Sequence, residues 1–238
     1  MKKGTSRSLQ ELAMSYTIPP FRDRRDAGRI LAEHLEGRRA GAAVVFAVPR
    51  GGVPVAAAVA KALKLPLDII VSRKIPIPFD PEAGYGAVTE DGAVVLNEPL
   101  VRRLRLTKGQ IEHDAEAVRA EIQRRQSVFR SVLGASPVEG RTAIVIDDGL
   151  ASGYTMKAAV HSLRRRGAAP VIAAAPVASL SAAESLRSVA DEVVAAVLWP
   201  HSPFAVASFY EHWHDLTDEE VLDELEAYAN DSGGRADD

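Results

Sequence analysis

Two adjacent carboxylates, Asp147 and Asp148, follow the apolar run Ala143-Ile144-Val145-Ile146 and precede Gly149-Leu150-Ala151-Ser152-Gly153-Tyr154-Thr155. A β-branched run of this length delivers both acids to the carboxyl end of a strand, where open α/β sheets place their ligands. The small residues Gly149, Ala151, Ser152 and Gly153 let backbone amides approach a ligand closely, and Ser152 and Thr155 add hydroxyl donors where a helix begins. Amides at a helix N-terminus lack carbonyl partners and sit at the positive end of the dipole, so such a turn is a phosphate site. Two carboxylates would repel a bare phosphate. They suit a ligand that presents hydroxyls or a metal ion beside its phosphate, as a phosphorylated sugar does. Without a ligand, the same residues read as an acidic strand-to-helix turn.

The elements that must hold this turn follow from periodicity. From Asp23 the residues Ala27, Ile30, Leu31 and Leu35 recur at helical spacing, with Gly37 as a stop. Ala43 to Val48 is an apolar strand, followed by Pro49-Arg50-Gly51-Gly52 and a small-residue helix through Leu63. Leu67 to Val71 makes a second buried strand. The Pro- and Gly-rich stretch from Arg73 to Gly92 reads as a loop too long to be a plain connector. Ala93 to Leu96 is a short strand candidate, and Thr107 to Val132 a long amphipathic helix. After the strand Thr142 to Ile146, a helix ends at Gly167, and strands at Val171 to Ala175 and Glu192 to Leu198 flank a helix from Ser181 to Ala190. Thr217 and Glu220 have the spacing of a capping box, opening a last helix to Tyr228. Continuous apolar strands alternating with helices predict an α/β fold, a mainly parallel sheet with helices on both faces. Residues 1–20, ending in Pro19-Pro20, read as an N-terminal arm, 21–229 as one domain, and 230–238 as a disordered polar tail.

The bulk composition narrows the function classes. A chain of 238 residues, 47% hydrophobic, supports one sizeable core, and a net charge of −3 offers no positive field for nucleic acid or an anionic membrane. The lack of cysteine removes disulfides, thiolate metal sites and cysteine nucleophiles together. No apolar run approaches the roughly 20 residues needed to span a membrane, and the expected setting is cytoplasmic.

Ile144 to Thr155 resembles the ribose-5-phosphate loop of type I phosphoribosyltransferases: an apolar strand, two acids, a small-residue turn, then Ser/Thr. The chain from Phe21 to Leu225 is similar to a stand-alone branch of that family. The matching pieces are Phe21-Arg22-Asp23-Arg24, Pro49-Arg50-Gly51-Gly52, Arg73-Lys74, Gly86-Ala87-Val88 and Asp218-Glu219-Glu220-Val221. The resemblance implies a Rossmann-like sheet with a small hood. It also implies Mg²⁺-dependent transfer of 5-phosphoribosyl from 5-phosphoribosyl-1-pyrophosphate (PRPP) to an acceptor, a step of nucleotide metabolism, with release of pyrophosphate. Gly149 to Thr155 (Gly149, Leu150, Ala151, Ser152, Gly153, Tyr154, Thr155) would hold the 5-phosphate. Arg50, Gly51 and Gly52 would form the pyrophosphate loop, with a cis peptide expected between Arg50 and Gly51. Arg73 and Lys74 would reach the pyrophosphate and act with Asp147 and Asp148 in catalysis. They also open a flexible loop, 74–92, in which Ala83, Gly84 and Tyr85 would cover the ribose. No direct protein ligand to Mg²⁺ is expected, because this ion keeps waters and is held through phosphates.

One departure stands out. From Ile75 to Val101 there is no Lys or Arg, and the charges up to Gly92 are Asp80, Glu82, Glu90 and Asp91, so this loop brings no cation to the leaving pyrophosphate. The hood is expected within 199–229, with Val177-Ala178-Ser179 and the aromatics Trp199, Phe204, Phe209 and Tyr210 as acceptor-pocket candidates or core packing. His212-Trp213-His214 lacks a carboxylate at metal-ligand spacing. The runner-up is a regulator that senses PRPP or a nucleotide without turnover. PRPP synthesis would call for a second phosphoribosyl loop, and a Rossmann oxidoreductase for G-x-G-x-x-G. The acceptor, a nucleobase or other nitrogen nucleophile, and any homo-oligomer are left open.

Overall fold

The structure, a computed structural model, describes residues 20–38, 41–77 and 80–233. In chain order the elements are α1 (Arg24–Leu35), β1 (Ala43–Ala47), α2 (Gly52–Leu63), β2 (Leu67–Ile69), β3 (Ser72–Ile77), β4 (Asp80–Thr89) and β5 (Val94–Leu96). There follow α3 (Glu98–Leu104), α4 (Lys108–Phe129), β6 (Thr142–Ile146), α5 (Tyr154–Arg165), β7 (Val171–Ser179), α6 (Leu180–Leu186), β8 (Glu192–Trp199), a 3₁₀ turn (Val206–Phe209) and α7 (Asp218–Gly233). The main sheet is wholly parallel, in the order β2-β1-β6-β7-β8. That is the predicted α/β architecture.

Both faces of the sheet are covered, which is why its strands carry no polar alternation. Val45, Ala47, Ile144 and Ile146 point to one core with Leu31 of α1, Val59 of α2, Ile122 of α4 and Leu225 of α7. Their neighbours Val44, Phe46, Ala143 and Val145 point the other way, against Met156 and Leu163 of α5 and Leu186 of α6. Asp23 caps α1 by accepting from the Asp26 amide at 2.7 Å. The Thr217 capping box forms as expected: Thr217 N donates to Glu220 Oε2 at 2.8 Å, and Glu220 N to Thr217 Oγ1 at 3.1 Å.

Two expectations are corrected. The stretch read as a flexible loop is instead an antiparallel meander, β3-β4-β5. Its register slips on both sides of Pro76, where an irregularity absorbs the proline that a regular strand would exclude. Its acids dock it onto the end of α5: Arg165 donates to Asp91 at 2.6–2.7 Å and Arg166 to Glu90 at 3.1 Å. The last helix runs past Tyr228 to Gly233, so residues 230–233 of the expected tail are helical. The arm 1–20 lies outside the described residues except for Pro20, and the rest of the tail, 234–238, lies outside them too.

A third, aromatic cluster ties the two ends of the domain together. Phe21, Phe209, Tyr210, Ala196 and Val197 are buried in it, with Trp199, Phe204 and Trp213 packed alongside. Backbone pairing fixes the contact: Phe21 N donates to Phe209 O at 3.2 Å, Glu211 N to Phe21 O at 2.9 Å, and His212 N to Arg22 O at 2.9 Å. The hood-segment aromatics are therefore mainly core.

Candidate functional site: two loops on one acid pair

The strand β6 hands its chain to Asp147 and Asp148 at the carboxyl edge of the sheet, beside the turn that leaves β1. The two turns touch. A Cβ added at Gly51 would fall 1.8 Å from Asp148 Oδ2, and one at Gly52 would fall 2.6 Å from Ile146 O and 3.0 Å from Asp147 Cα. These glycines are required by close approach, since Gly51 has ordinary helical angles. The backbone that follows Arg50 is thereby packed against the acid pair. The cis peptide bond in this turn lies between Pro49 and Arg50, one bond earlier than the resemblance implied.

The acids are not symmetrical. Asp148 accepts from Arg24 Nε at 2.9 Å, in a pair whose side chains are 14% and 8% exposed. Arg24 also donates from Nη1 to His214 O at 2.9 Å, and its guanidinium lies 3.8 Å over the Trp213 ring. Asp147 accepts from the Asp148 amide at 2.9 Å. Burial, and then the neighbouring charge of Asp148, push Asp147 well above the usual carboxylate range. Burial raises Asp148 too, but Arg24 opposes it. Tyr210 buttresses the turn by donating to Asp148 O at 2.6 Å, and burial followed by the Asp148 charge raises its phenol. Two carboxylates thus share one cation.

The turn that follows is built as the sequence suggested, with one exception. Gly153 adopts φ +76°, a left-handed conformation that favours glycine, and caps α5 without any side-chain hydrogen bond. The first amides of α5 therefore have no side-chain acceptor. Ala151 and Ser152 are exposed, while Tyr154 and Thr155 are half-buried. Leu150 is the exception: it is buried, its amide donates to Val177 O at 2.9 Å, and its carbonyl accepts from Ser179 N at 2.9 Å. It anchors the turn to β7 and has no amide to offer a phosphate. Ser179 Oγ adds a bond to Ala151 O at 2.8 Å. A cavity of about 410 Å³ opens on this side, bounded by Ala151, Ser179, Ser181, Trp199, His201 and Phe204.

Arg73 and Lys74 sit on β3, at the edge nearest α4, where Arg73 contacts Glu121. Ser72 Oγ donates to Thr155 O at 3.1 Å, so the start of β3 is tied to the phosphate turn. The residues expected to cover the ribose, Ala83, Gly84 and Tyr85, are strand residues. They lie in β4, and Tyr85 is fully buried, donating to Asp114 Oδ2 at 2.7 Å; burial first, then this acid, raises its phenol. An aromatic in a strand that faces the core gains more from burial than from swinging over a site.

Sequence reasoning missed Arg24, Trp213 and the acid pair's dependence on them. The Phe21-Arg22-Asp23-Arg24 match was the available signal, but a contact spanning 124 positions has no local signature.

A strand-borne acid pair, an uncapped helix start and a glycine turn packed on those acids lie together at the carboxyl edge of a parallel α/β sheet. The phosphoribosyl transferase domain model matches residues 89–209. The chain belongs to the phosphoribosyl transferase family, whose class is pentosyltransferase. Among its relatives are two Mycobacterium tuberculosis proteins, "Putative phosphoribosyl transferase MT0597" (strain CDC 1551 / Oshkosh) and "Putative phosphoribosyl transferase Rv0571c" (strain H37Rv). Each is 42% identical over 202 residues, covering 85% of this chain. The chain spans 45% of the length of those relatives. The crystal structure of TT1426 from Thermus thermophilus is similar over 87% of this chain and 98% of that one, with a TM-score of 0.73 and 38% identity. Among the described residues no helix is long and apolar enough to cross a membrane.

Proposed function

We propose that this chain transfers the 5-phosphoribosyl group of PRPP to a nitrogen nucleophile, a nucleobase or small amine, with Mg²⁺ and release of pyrophosphate. One observation carries the reading: the Arg50-Gly51-Gly52 turn lies so close to Asp148 that a single methyl group at Gly51 would strike its carboxylate. A turn suited to pyrophosphate and an acid pair suited to ribose hydroxyls therefore form one cleft. PRPP needs both, with its 5-phosphate at the α5 N-terminus.

The residues divide the work by charge. As the bond to C1 lengthens, positive charge grows on the ribose and negative charge on the departing pyrophosphate. Asp147 and Asp148 accept from ribose hydroxyls, orient the ring and favour its cationic character. Arg50, Arg73 and Lys74 stabilise the leaving group electrostatically, where fixed charges in a partly buried site are strongest. No side chain has to act as a covalent nucleophile. Mg²⁺, when bound, draws off leaving-group charge. The residues present fit an ion carried on the ligand: hard carboxylate oxygens with an unbalanced negative charge lie at the acid pair. Among the described residues no group of three or more His, Asp or Glu could hold a metal alone. The cavity beside Ala151, with its serine hydroxyls and the Trp199 and Phe204 rings, suits a flat polar acceptor.

The test is a screen of nucleobases and small amines for pyrophosphate release from PRPP, with D147N/D148N as control. Release with one acceptor class, lost in the control, is expected. PRPP binding with no release by any acceptor would favour the sensing regulator.

A further inference from the structure

Helix α4 packs on β3, β4 and α7 and brings Arg124 and Arg125 beside Arg73 of β3 and the start of α7. Arg125 is buried, with its side chain 10% exposed. Its Nη2 lies 3.1 Å from Glu121 Oε1, the same oxygen that Arg73 contacts. Its Nε lies 3.4 Å from Asp218 Oδ1, at the start of α7, whose other oxygen accepts from Arg124 at 2.7 Å. The cluster is linked to two of the expected pyrophosphate contacts, Arg73 and Arg50. Arg73 shares Glu121 with it, and the charge of Arg50 bears on Arg125 and Asp218 alike.

The hydrogen bonding is incomplete in a specific way. Arg125 Nε, Arg73 Nη1 and Asp218 Oδ1 are all shielded from solvent without an aligned hydrogen bond, although Arg125 Nε faces Asp218 Oδ1 at 3.4 Å and Arg73 contacts Glu121. Buried donors are normally satisfied, and leaving a charged one unsatisfied is costly. Arginines that serve structure in this molecule look different. Arg24 fills Nε and Nη1 at 2.9 Å each, and Arg130 bonds Asp68, Ile69 O and Gly134 O. Burial, then the charge of Arg73, lower the Arg125 pKa, and its two carboxylates offset this only in part. Four guanidiniums and two carboxylates leave an excess of positive charge, and forked guanidinium donors are what a diphosphate requires.

We propose that Arg125 is a pyrophosphate-binding residue, supplying from α4 the cation that the segment after Lys74 lacks, while Glu121 and Asp218 hold Arg73 and Arg125 in position. The proposal rests on the PRPP reading and extends it. Its test is calorimetric titration of wild type, R125Q and E121Q with three probes in the presence of Mg²⁺: PRPP, inorganic pyrophosphate and ribose 5-phosphate. R125Q should weaken PRPP and pyrophosphate at least tenfold and leave ribose 5-phosphate within twofold. E121Q, at a side chain 39% exposed, should fold regardless and bind pyrophosphate more tightly, because Arg73 and Arg125 lose their shared acceptor. Equal losses for all three probes in R125Q, or an E121Q that binds pyrophosphate no better than wild type, would overturn the assignment while leaving the PRPP reading intact. A wild type that binds none of the three would overturn both.

Discussion

At the end of the cleft proposed for ribose, one guanidinium among the described residues, that of Arg24, is ion-paired with Asp148 of the neighbouring carboxylates Asp147 and Asp148, whereas at the end proposed for pyrophosphate Arg73, Arg124 and Arg125 contact Glu121 and Asp218 and the charge of Arg50 bears on Arg125 and Asp218. The first region is short of positive charge and the second has an excess. A fold that sought only stability would have paired these charges or replaced them with apolar groups. Opposite imbalances at the two ends match a ligand whose sugar becomes cationic as its diphosphate departs. The difference also predicts opposite responses: removing a carboxylate from the ribose end should relieve strain, while removing its lone cation should be severe.

Replacing Arg24 with Ala gives the largest expected effect. It leaves two neighbouring, largely buried acids with no partner, and should cost about 3–5 kcal/mol by urea denaturation. A loss under about 1 kcal/mol would mean that Arg24 does not hold the acid pair together.

Gly51→Ala comes next. Its methyl group meets Asp148 Oδ2 and must push the two turns apart. Overpacking of this kind costs about 1–3 kcal/mol, and PRPP affinity should fall at least tenfold even where the fold survives. Unchanged affinity would separate the turns functionally.

Asp147→Asn should act in the other direction on stability. Because folding raises the Asp147 pKa above its unfolded value, its contribution is complete at low pH and is lost as pH rises through the folded value. The variant has no such loss. Its melting temperature should match wild type near pH 3, below the ordinary aspartate value, and exceed it at pH 8 by roughly 2–4 °C, about 1 kcal/mol in a chain of this size. A variant less stable than wild type at pH 8 would mean that Asp147 is not under electrostatic strain.

What was readable in the sequence was local. The strand, acids, small turn and helix of residues 142–155 are contiguous, so hydrophobic run and turn chemistry define them together. The parallel sheet followed from strands buried on both faces. The hairpin β3-β4 was misread because Pro76, Gly84 and Gly86 carry loop chemistry, and only the pairing of Arg73 with Val88 and Ile75 with Gly86 makes them strand residues. The missing cations in that stretch then looked like a defect of a flexible loop. The acids there serve docking, since Glu90 and Asp91 bind Arg166 and Arg165 across the interface. The Arg24 to Asp148 contact and the Arg73-Glu121-Arg125 chain join distant segments, and no periodicity encodes them.

The smallest expected effect is a control on this contrast. Arg102 and Glu98 form an exposed i,i+4 pair at 3.9 Å, and Arg102→Ala should change stability by about 0.5 kcal/mol or less and leave ligand binding alone. An effect as large as that of the Arg24 variant would show that surface charge, not the cleft, dominates.

The most direct measurement is PRPP titration of the wild-type chain with Mg²⁺ and again with the metal chelated, alongside D147N/D148N. The account predicts saturable binding with Mg²⁺, binding at least tenfold weaker without it, and loss of affinity in the double variant. Binding that is absent with Mg²⁺, or that the double variant leaves unchanged, would contradict it.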